Sequence, residues 1–356
     1  MERTEWSPVK VRRVLTKNET GYIEVQEQPI PPLEPGTALV KVHASLISTG
    51  TELSRLRGRV RTPGGNQRVF GYQNAGVVLE VGEGCRNLSP GMRVACMGGP
   101  YSVHGEYAVV PQNLITPLPE NVSYAEGAFI ALAATAMQAV RRGEVVWGEE
   151  AAVLGLGIVG QLVAQICHIA GARVMAFDPM PLRVERARLT GISLASTETG
   201  EAAVSRVAAV TEGRGLDCAF LCVGEASNQV FPDVYKMMKR APDTHAYGRV
   251  VSVGGTLTHG MGASLGNLDI RSSARTGPGY HDEEYEYGRD YPEVFVRWST
   301  QAHIRLFARW VSEGRLNVKD LITTRAPLER APEACYSLMD EPDRHLGVVI
   351  LYHGES

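Results

Sequence analysis

Nowhere in this 356-residue chain do two cysteines stand two residues apart. The six cysteines, Cys85, Cys96, Cys167, Cys218, Cys222 and Cys335, are scattered. That scatter excludes a finger- or ribbon-type metal site and argues against a disulfide frame. It fits buried thiols in a reducing cytoplasm. Charge of one sign is also lacking: 36 Lys and Arg meet 39 Asp and Glu, a formal net charge of −3. Nucleic acid and anionic membrane surfaces therefore have no electrostatic claim on the chain. The opening residues, MERTEWSPVKVRRVL, contain no apolar core of a secretory signal, so a cytoplasmic protein is expected. Long hydrophobic runs are scarce as well. One stretch, residues 151–172, carries no Asp, Glu, Lys or Arg, which is long enough to raise a membrane span. Gly155, Gly157, Gly160, Gln161, Gln165 and His168 interrupt it. A buried strand followed by a half-buried helix has the same composition, and the membrane reading is rejected. No internal repeat, heptad run or low-complexity tract is visible.

What is present begins with that same stretch. AAVLGLGIVGQLVAQICHIAGARVMAFD, residues 151–178, reads as strand, glycine turn, helix, and a second strand ending in an acid. Gly155, Gly157 and Gly160 give the G-x-G-x-x-G spacing. The first permits a tight turn, the second lets backbone approach a pyrophosphate, and the third lets helix pack on strand. Leu156, Ile158 and Val159 complete the turn, whose backbone N–H groups and helix dipole suit phosphate. Asp178 follows Gly160 by eighteen residues, where a ribose-binding carboxylate is expected. It would repel a 2′-phosphate, so NAD is favoured over NADP. Arg183 is placed beside the same cofactor half.

The rest of the chain divides around this unit. Residues 10–125 hold short, partly alternating strands separated by Gly, Pro and Asn, as in a small barrel. From Ser123 an alanine-rich helical run leads into the glycine turn, and strands and helices then alternate. That alternation implies an α/β fold with a doubly wound parallel sheet. Val223, Gly224, Val253 and Gly254 end strands at the edge where the second half of a dinucleotide would lie. Pro232 sits early in its helix, where a missing N–H is tolerated. A polar, aromatic segment, 271–300, precedes a last helix, and the C-terminal apolar strand is expected to rejoin the first domain.

The stretches ISTGTE (47–52), GYQNAGVVLEVGEG (71–84), GMRVA (91–95), HGEYAVVP (104–111), LAATAMQAV (132–140) and GLGIVG (155–160) occur in an order that resembles the medium-chain dehydrogenase/reductase superfamily. The resemblance implies a GroES-like catalytic domain over residues 1–124, a Rossmann NAD-binding domain over 125–300, and a return to the catalytic domain over 301–356. It also implies a homodimer, joined through the sheet edge near GRVVSVGG. Zinc-dependent members carry a cysteine where this chain has Thr49. Where they carry Gly-His-Glu it has Gly71, Tyr72 and Gln73, and their third ligand falls at or near Ala131. Only Cys96 lies in the segment where a four-cysteine lobe would be. Thiolate, imidazole and carboxylate are all missing from these positions, so no zinc is expected.

Without a metal, side chains must handle the proton and the developing oxyanion. Thr51 matches the family's hydroxyl relay residue, and Tyr72 replaces a ligand. These two, with Thr49, are the catalytic candidates, although Tyr72 as mere space-filler is an equal alternative. Glu52 and Gln73 rank below them, as substrate-orienting groups. In the 271–300 segment Arg275, Tyr280, His281 and Arg297 could line a pocket for a polar small molecule. Alternatively the segment is a structural crossover or a dimer contact. His104 sits at a family-typical strand position and is read as structural. His43, His168, His245 and His259 have no partner spacing, and His281 and His303 are the histidines worth testing.

The segment also looks like the dehydrogenase portion of bi-domain oxidoreductases of surface-polysaccharide biosynthesis, which implies a sugar- or cyclitol-like substrate. The leading expectation is an NAD-dependent, zinc-independent interconversion of a secondary alcohol and a ketone. Reduction of an enone or quinone C=C bond, a redox-neutral epimerisation or elimination with retained NAD, and a non-catalytic dinucleotide-binding protein are the alternatives.

Overall fold

The computed structural model describes residues 10–258 and 262–353. His259 lies outside the described residues. The first half supplies eight strands: β1 Val11–Lys17, β2 Ile23–Pro29, β3 Thr37–Leu46, β4 Arg68–Val69, β5 Gln73–Val81, β6 Arg93–Met97, β7 Tyr107–Pro111 and β8 Ile115–Pro117. Helices α1 Tyr124–Gly127 and α2 Ile130–Gly143 follow. The middle alternates β9 Glu150–Leu154, α3 Ile158–Ile169, β10 Arg173–Phe177, α4 Pro181–Leu189, β11 Leu194–Ser196, α5 Gly200–Val210, β12 Cys218–Leu221, α6 Ser227–Met237, β13 Tyr247–Val253 and β14 Asn267–Ser273. The last part holds α7 Glu283–Glu286, α8 Thr300–Ser312, β15 Ile322–Pro327, α9 Ala331–Asp340 and β16 Gly347–Leu351.

The middle strands form one parallel sheet in the order β11-β10-β9-β12-β13-β14. Numbered from β9, that is 3-2-1-4-5-6, the order of a Rossmann fold. Ala151, Ala152 and Val153 of β9 are fully buried, as expected of a central strand covered on both faces. Gln161 and Gln165 of α3 are buried too, and each is paired. The Gln161 amide donates to the Leu156 and Arg183 carbonyls, and Gln165 exchanges two bonds with the Asn317 backbone. The described residues contain no helix long and apolar enough to cross a membrane.

The other large sheet runs β15-β16-β3-β5-β6-β8, with β7 also on β3. Strand β16 lies antiparallel to β3, with Val349 opposite Leu46. A chain segment from the far end of the sequence is thus built into the first sheet. A three-stranded sheet, β2-β1-β4, covers one side.

Three expectations need correction. Arg271 belongs to β14, a strand not apparent in the sequence, so the irregular segment starts after Ser273. The edge of the parallel sheet is β14, and GRVVSVGG is the interior strand β13, paired on both sides. Pro232 is inside α6, beyond its first turn, where the helix lacks one N–H donor.

Residues 274–299 strap the two halves together. Asn113 donates to the Tyr285 carbonyl and to Asp290, and Gln112 donates to the Tyr287 carbonyl. Tyr280 Oη accepts from the Gly99 N–H at 3.0 Å. At the strap's end, Arg141 of α2 lies 3.3 Å over the Trp298 ring and donates from Nε to His303 Nε2 at 2.9 Å. Arg297, a substrate candidate, is an exposed residue 4.8 Å over the same ring. His303 is fully buried, and burial pulls its pKa down to about 4.

A histidine held neutral below its ordinary pKa stabilises the fold above that ordinary value and loses the contribution as pH falls. His303 should therefore cost the protein about 3 kcal/mol of stability between pH ~6.5 and pH ~4. Denaturant titrations across that range should show the slope in the wild type and a flatter one in His303→Gln.

Candidate active site

The C-terminal ends of β9, β12 and β13 lie side by side and carry Gly155, Val223–Gly224 and Val253–Gly254. Gly155 has φ +93° and donates its N–H to the Phe177 carbonyl at 2.8 Å. A Cβ on Gly160 would stand 1.8 Å from the Gly155 oxygen, whereas one on Gly157 would meet nothing within 4 Å. The first contact is why helix and turn close; the second leaves room beside the helix N-terminus for an approaching anion. Leu156, Ile158 and Val159 bracket that space, and Leu156 is fully buried.

Asp178 is more engaged than a bare ribose acceptor would be. Its Oδ2 accepts from the Leu156 N–H at 2.8 Å and from Arg183 Nη1 at 3.0 Å. Its Oδ1 accepts only the Met180 N–H, at 2.9 Å. The residue is 2% exposed, so it first ties the glycine turn to β10 and leaves one oxygen partly free. These features fit a dinucleotide. Cys222, beside Gly155, is no nucleophile, because burial pushes its thiol up to about 12.

The second cluster is in the first half of the chain. After β3, Thr49–Leu53 forms a single wide, π-type helical turn that leaves Thr51 exposed. The Ser48 and Thr51 side chains neighbour the Tyr72 hydroxyl. Burial, first, and then the neighbouring Glu52 carboxylate hold the Tyr72 phenol above its ordinary pKa. Tyr280 approaches the same phenol from the strap.

Glu52 is 5% exposed. Its carboxylate accepts the Ser48 N–H at 2.7 Å and faces His104 Nε2 at 3.1 Å. His104 Nδ1 pairs with Ser45 Oγ at 2.8 Å, and Ser45 pairs with Tyr352 Oη at 2.8 Å. Lys17 donates to the Glu52 carbonyl. Glu52 is thus rooted in a buried polar chain, and His104, read from sequence as structural, is its partner. Ser48, Ser45 and Tyr352 carried no signal in the sequence.

Gln73 does not serve as expected. It is fully buried, its amide donates to the Leu46 carbonyl, and its oxygen accepts the Leu132 N–H. Both ends hold β5 to β3 and α2, and none is left for substrate. His281 is exposed, stacked 3.9 Å on Tyr280, with φ +70°. Arg275 is likewise exposed with φ +60°. The donor set does not fit a zinc ion. Thr49 offers a hydroxyl, Tyr72 a phenol held neutral, Gln73 an amide already paired, and position 131 an alanine. Among the described residues no group of three or more His, Cys, Asp or Glu could hold a metal.

Residues 34–120 match the family described as alcohol dehydrogenase GroES-like domain, and residues 159–287 match the family described as zinc-binding dehydrogenase. The chain belongs to the medium-chain dehydrogenase/reductase superfamily. It is an oxidoreductase with a GroES-like domain and a Rossmann-like domain. This superfamily member is 27% identical to the sorbitol dehydrogenase of Mus musculus over 350 residues, spanning 88% of this chain and 89% of the relative. It is 31% identical to the (R,R)-butanediol dehydrogenase of Bacillus subtilis over 180 residues, 44% of this chain and 51% of that one. An Escherichia coli oxidoreductase/dehydrogenase of unknown specificity superposes with TM-score 0.78 at 18% identity, covering 96% of this chain and 99% of that one. At that identity the likeness concerns fold alone.

The two glycines separate packing from binding. Gly160→Ala should cost about 1–3 kcal/mol, because its Cβ strikes backbone. Gly157→Ala, which meets open space, should stay within about 0.5 kcal/mol of wild type. Thermal unfolding of the pair checks the contrast.

Proposed function

We propose that the protein is an NAD-dependent, zinc-independent dehydrogenase that interconverts a secondary alcohol and a ketone on a polyhydroxylated substrate. One observation carries the reading. A neutral tyrosine phenol, neighboured by the Ser48 and Thr51 side chains and by a buried carboxylate, stands where metal-dependent relatives need a ligand. The polyol and diol dehydrogenases among its relatives support the substrate class. NAD, when bound along the glycine turn, supplies the hydride acceptor or donor.

The chain's own residues do the rest. Tyr72, protonated throughout the neutral range, donates a hydrogen bond to the substrate oxygen and stabilises the charge that develops there. Thr51, exposed at the turn and within reach of Tyr72, shares that oxygen and passes its proton inward. Glu52, with His104 behind it, holds the proton when the alcohol is oxidised. Thr49, on the same turn, borders the substrate. Asp178, its carboxylate fixed by Arg183, would hold the ribose hydroxyls of NAD, and its negative charge disfavours a 2′-phosphate. Tyr280, held on Gly99, closes the pocket from the strap with Arg275 and His281 at its rim. A cytoplasmic homodimer joined through the open edge of β14 completes the proposal.

Tyr72→Phe should lower kcat/KM for alcohol oxidation by about 10²–10⁴-fold, and Thr51→Ala by a smaller factor, with NADH affinity retained in both. NADH should bind about tenfold or more tightly than NADPH. Steady-state kinetics and fluorescence titration test both points. Unchanged turnover in Tyr72→Phe would remove the phenol from the chemistry.

A further inference from the structure

The connection from the Thr49–Leu53 turn to Tyr72 has an unusual charge pattern. Residues 54–68 contain Arg55, Arg57, Arg59, Arg61 and Arg68, and no Asp or Glu occurs from Leu53 to Leu79. The loop follows the Thr49–Leu53 turn and leads through β4 to Tyr72, so proposed catalytic residues flank it in sequence on both sides. Arg55 is one turn beyond Thr51, in a short helix whose Ser54 hydroxyl donates to the Gly50 carbonyl.

The loop is held in one shape. Asn18 Nδ2 donates to the Thr62 and Gly64 carbonyls at 3.0 and 2.6 Å. Thr62 N–H donates to Thr20 Oγ1, and Arg61 pairs with Asp340 while lying 4.3 Å over the Tyr336 ring. Arg55, Arg57, Arg59 and Arg68 are all exposed. Among the described residues none of these four has an ion pair, although most other arginines of the chain do. In the same loop the Gln67 amide nitrogen and oxygen are both shielded and unpaired. A fixed loop in which, among the described residues, only Arg61 of five arginines has an acidic ion-pair partner, Asp340, carries a self-repulsion that an anion would relieve. The rest of the molecule, at a net charge of −3, does not require it.

We propose that the 54–68 loop is a binding subsite for a phosphate ester carried by the polyhydroxylated substrate, with Arg55, Arg57 and Arg59 as its ligands. Guanidinium forks match phosphate oxygens bidentately, and several of them around one dianion suit phosphate better than a single carboxylate. The inference rests on the dehydrogenase reading for the substrate's other half, while the anion site stands on the loop alone.

The experiment compares D-glucitol with D-glucitol 6-phosphate in wild type and in Arg57→Ala/Arg59→Ala, and measures inorganic pyrophosphate binding at saturating NADH. The phosphorylated polyol should be favoured in kcat/KM on the order of 10- to 100-fold at low ionic strength, and the ratio should fall to within about twofold in the variant. Salt at about 0.3 M should shrink the preference in wild type. NADH affinity and thermal midpoint report that the variant is folded. A wild type that neither prefers the phosphorylated polyol nor binds pyrophosphate overturns the proposal, as does a preference that survives the variant. The latter would leave the arginines to an acidic protein surface. If neither polyol is oxidised but pyrophosphate binds wild type and not the variant, the subsite stands and the dehydrogenase reading of the substrate fails.

Discussion

The buried carboxylate of Glu52 is the constraint on which the candidate site depends. An ionised carboxylate withdrawn from water is costly unless its oxygens are engaged. Here one end of the engagement is the Ser48 N–H, which closes the Thr49–Leu53 turn, and the other is His104. Closing the turn keeps Ser48 and Thr51 beside Tyr72. Through His104 the demand passes to Ser45 on β3 and to Tyr352 at the end of β16. The Thr49–Leu53 turn, the first sheet and a strand from the far end of the chain are thus fixed by one chain of hydrogen bonds. Neighbours in such a chain couple, so its members contribute as a unit.

How much of this was legible in sequence depends on the range of the interaction. The glycine turn was legible because its geometry is local: three glycines within six residues fix turn, approach and helix packing. The alternation of β9 to β13 with helices gave the parallel sheet for the same reason. Strand β14 was hidden, since NLDIRSS alternates weakly and sits beside polar residues that read as loop. The interior position of β13 follows from that missing neighbour. Pro232 was misplaced by the few residues that separate a helix start from its interior, since α6 begins at Ser227 and Pro232 lies inside it.

The site was legible by type and not by partner. Thr51 stands out by the relay residue it matches, and Tyr72 by the ligand it replaces. No local pattern links Glu52 to His104, 52 residues away, or Ser45 to Tyr352, 307 residues away. Gln73 was misread because an amide can orient a substrate or bridge two backbones, and only tertiary contact decides. The 274–299 strap shows the same ambiguity. Asn113, Gln112 and the carbonyls of Tyr285 and Tyr287 assign part of it to docking, whereas Tyr280 beside Tyr72 keeps part of it at the cleft.

A phenol is a weaker electrophile than a divalent cation, so the proposed chemistry needs some other source of stabilisation. The burial that holds Tyr72 neutral also lowers the local dielectric, which strengthens the hydrogen bond it can give. Glu52 works against this, since its negative charge opposes an oxyanion on the substrate. That opposition is useful if the oxygen never carries full charge. With Ser48 and Thr51 beside the phenol and Glu52 on the same turn, the proposed proton transfer accompanies carbonyl formation, and His104 can share the proton with Glu52. A cation would hold a formed alkoxide; this arrangement instead favours keeping the alkoxide from forming.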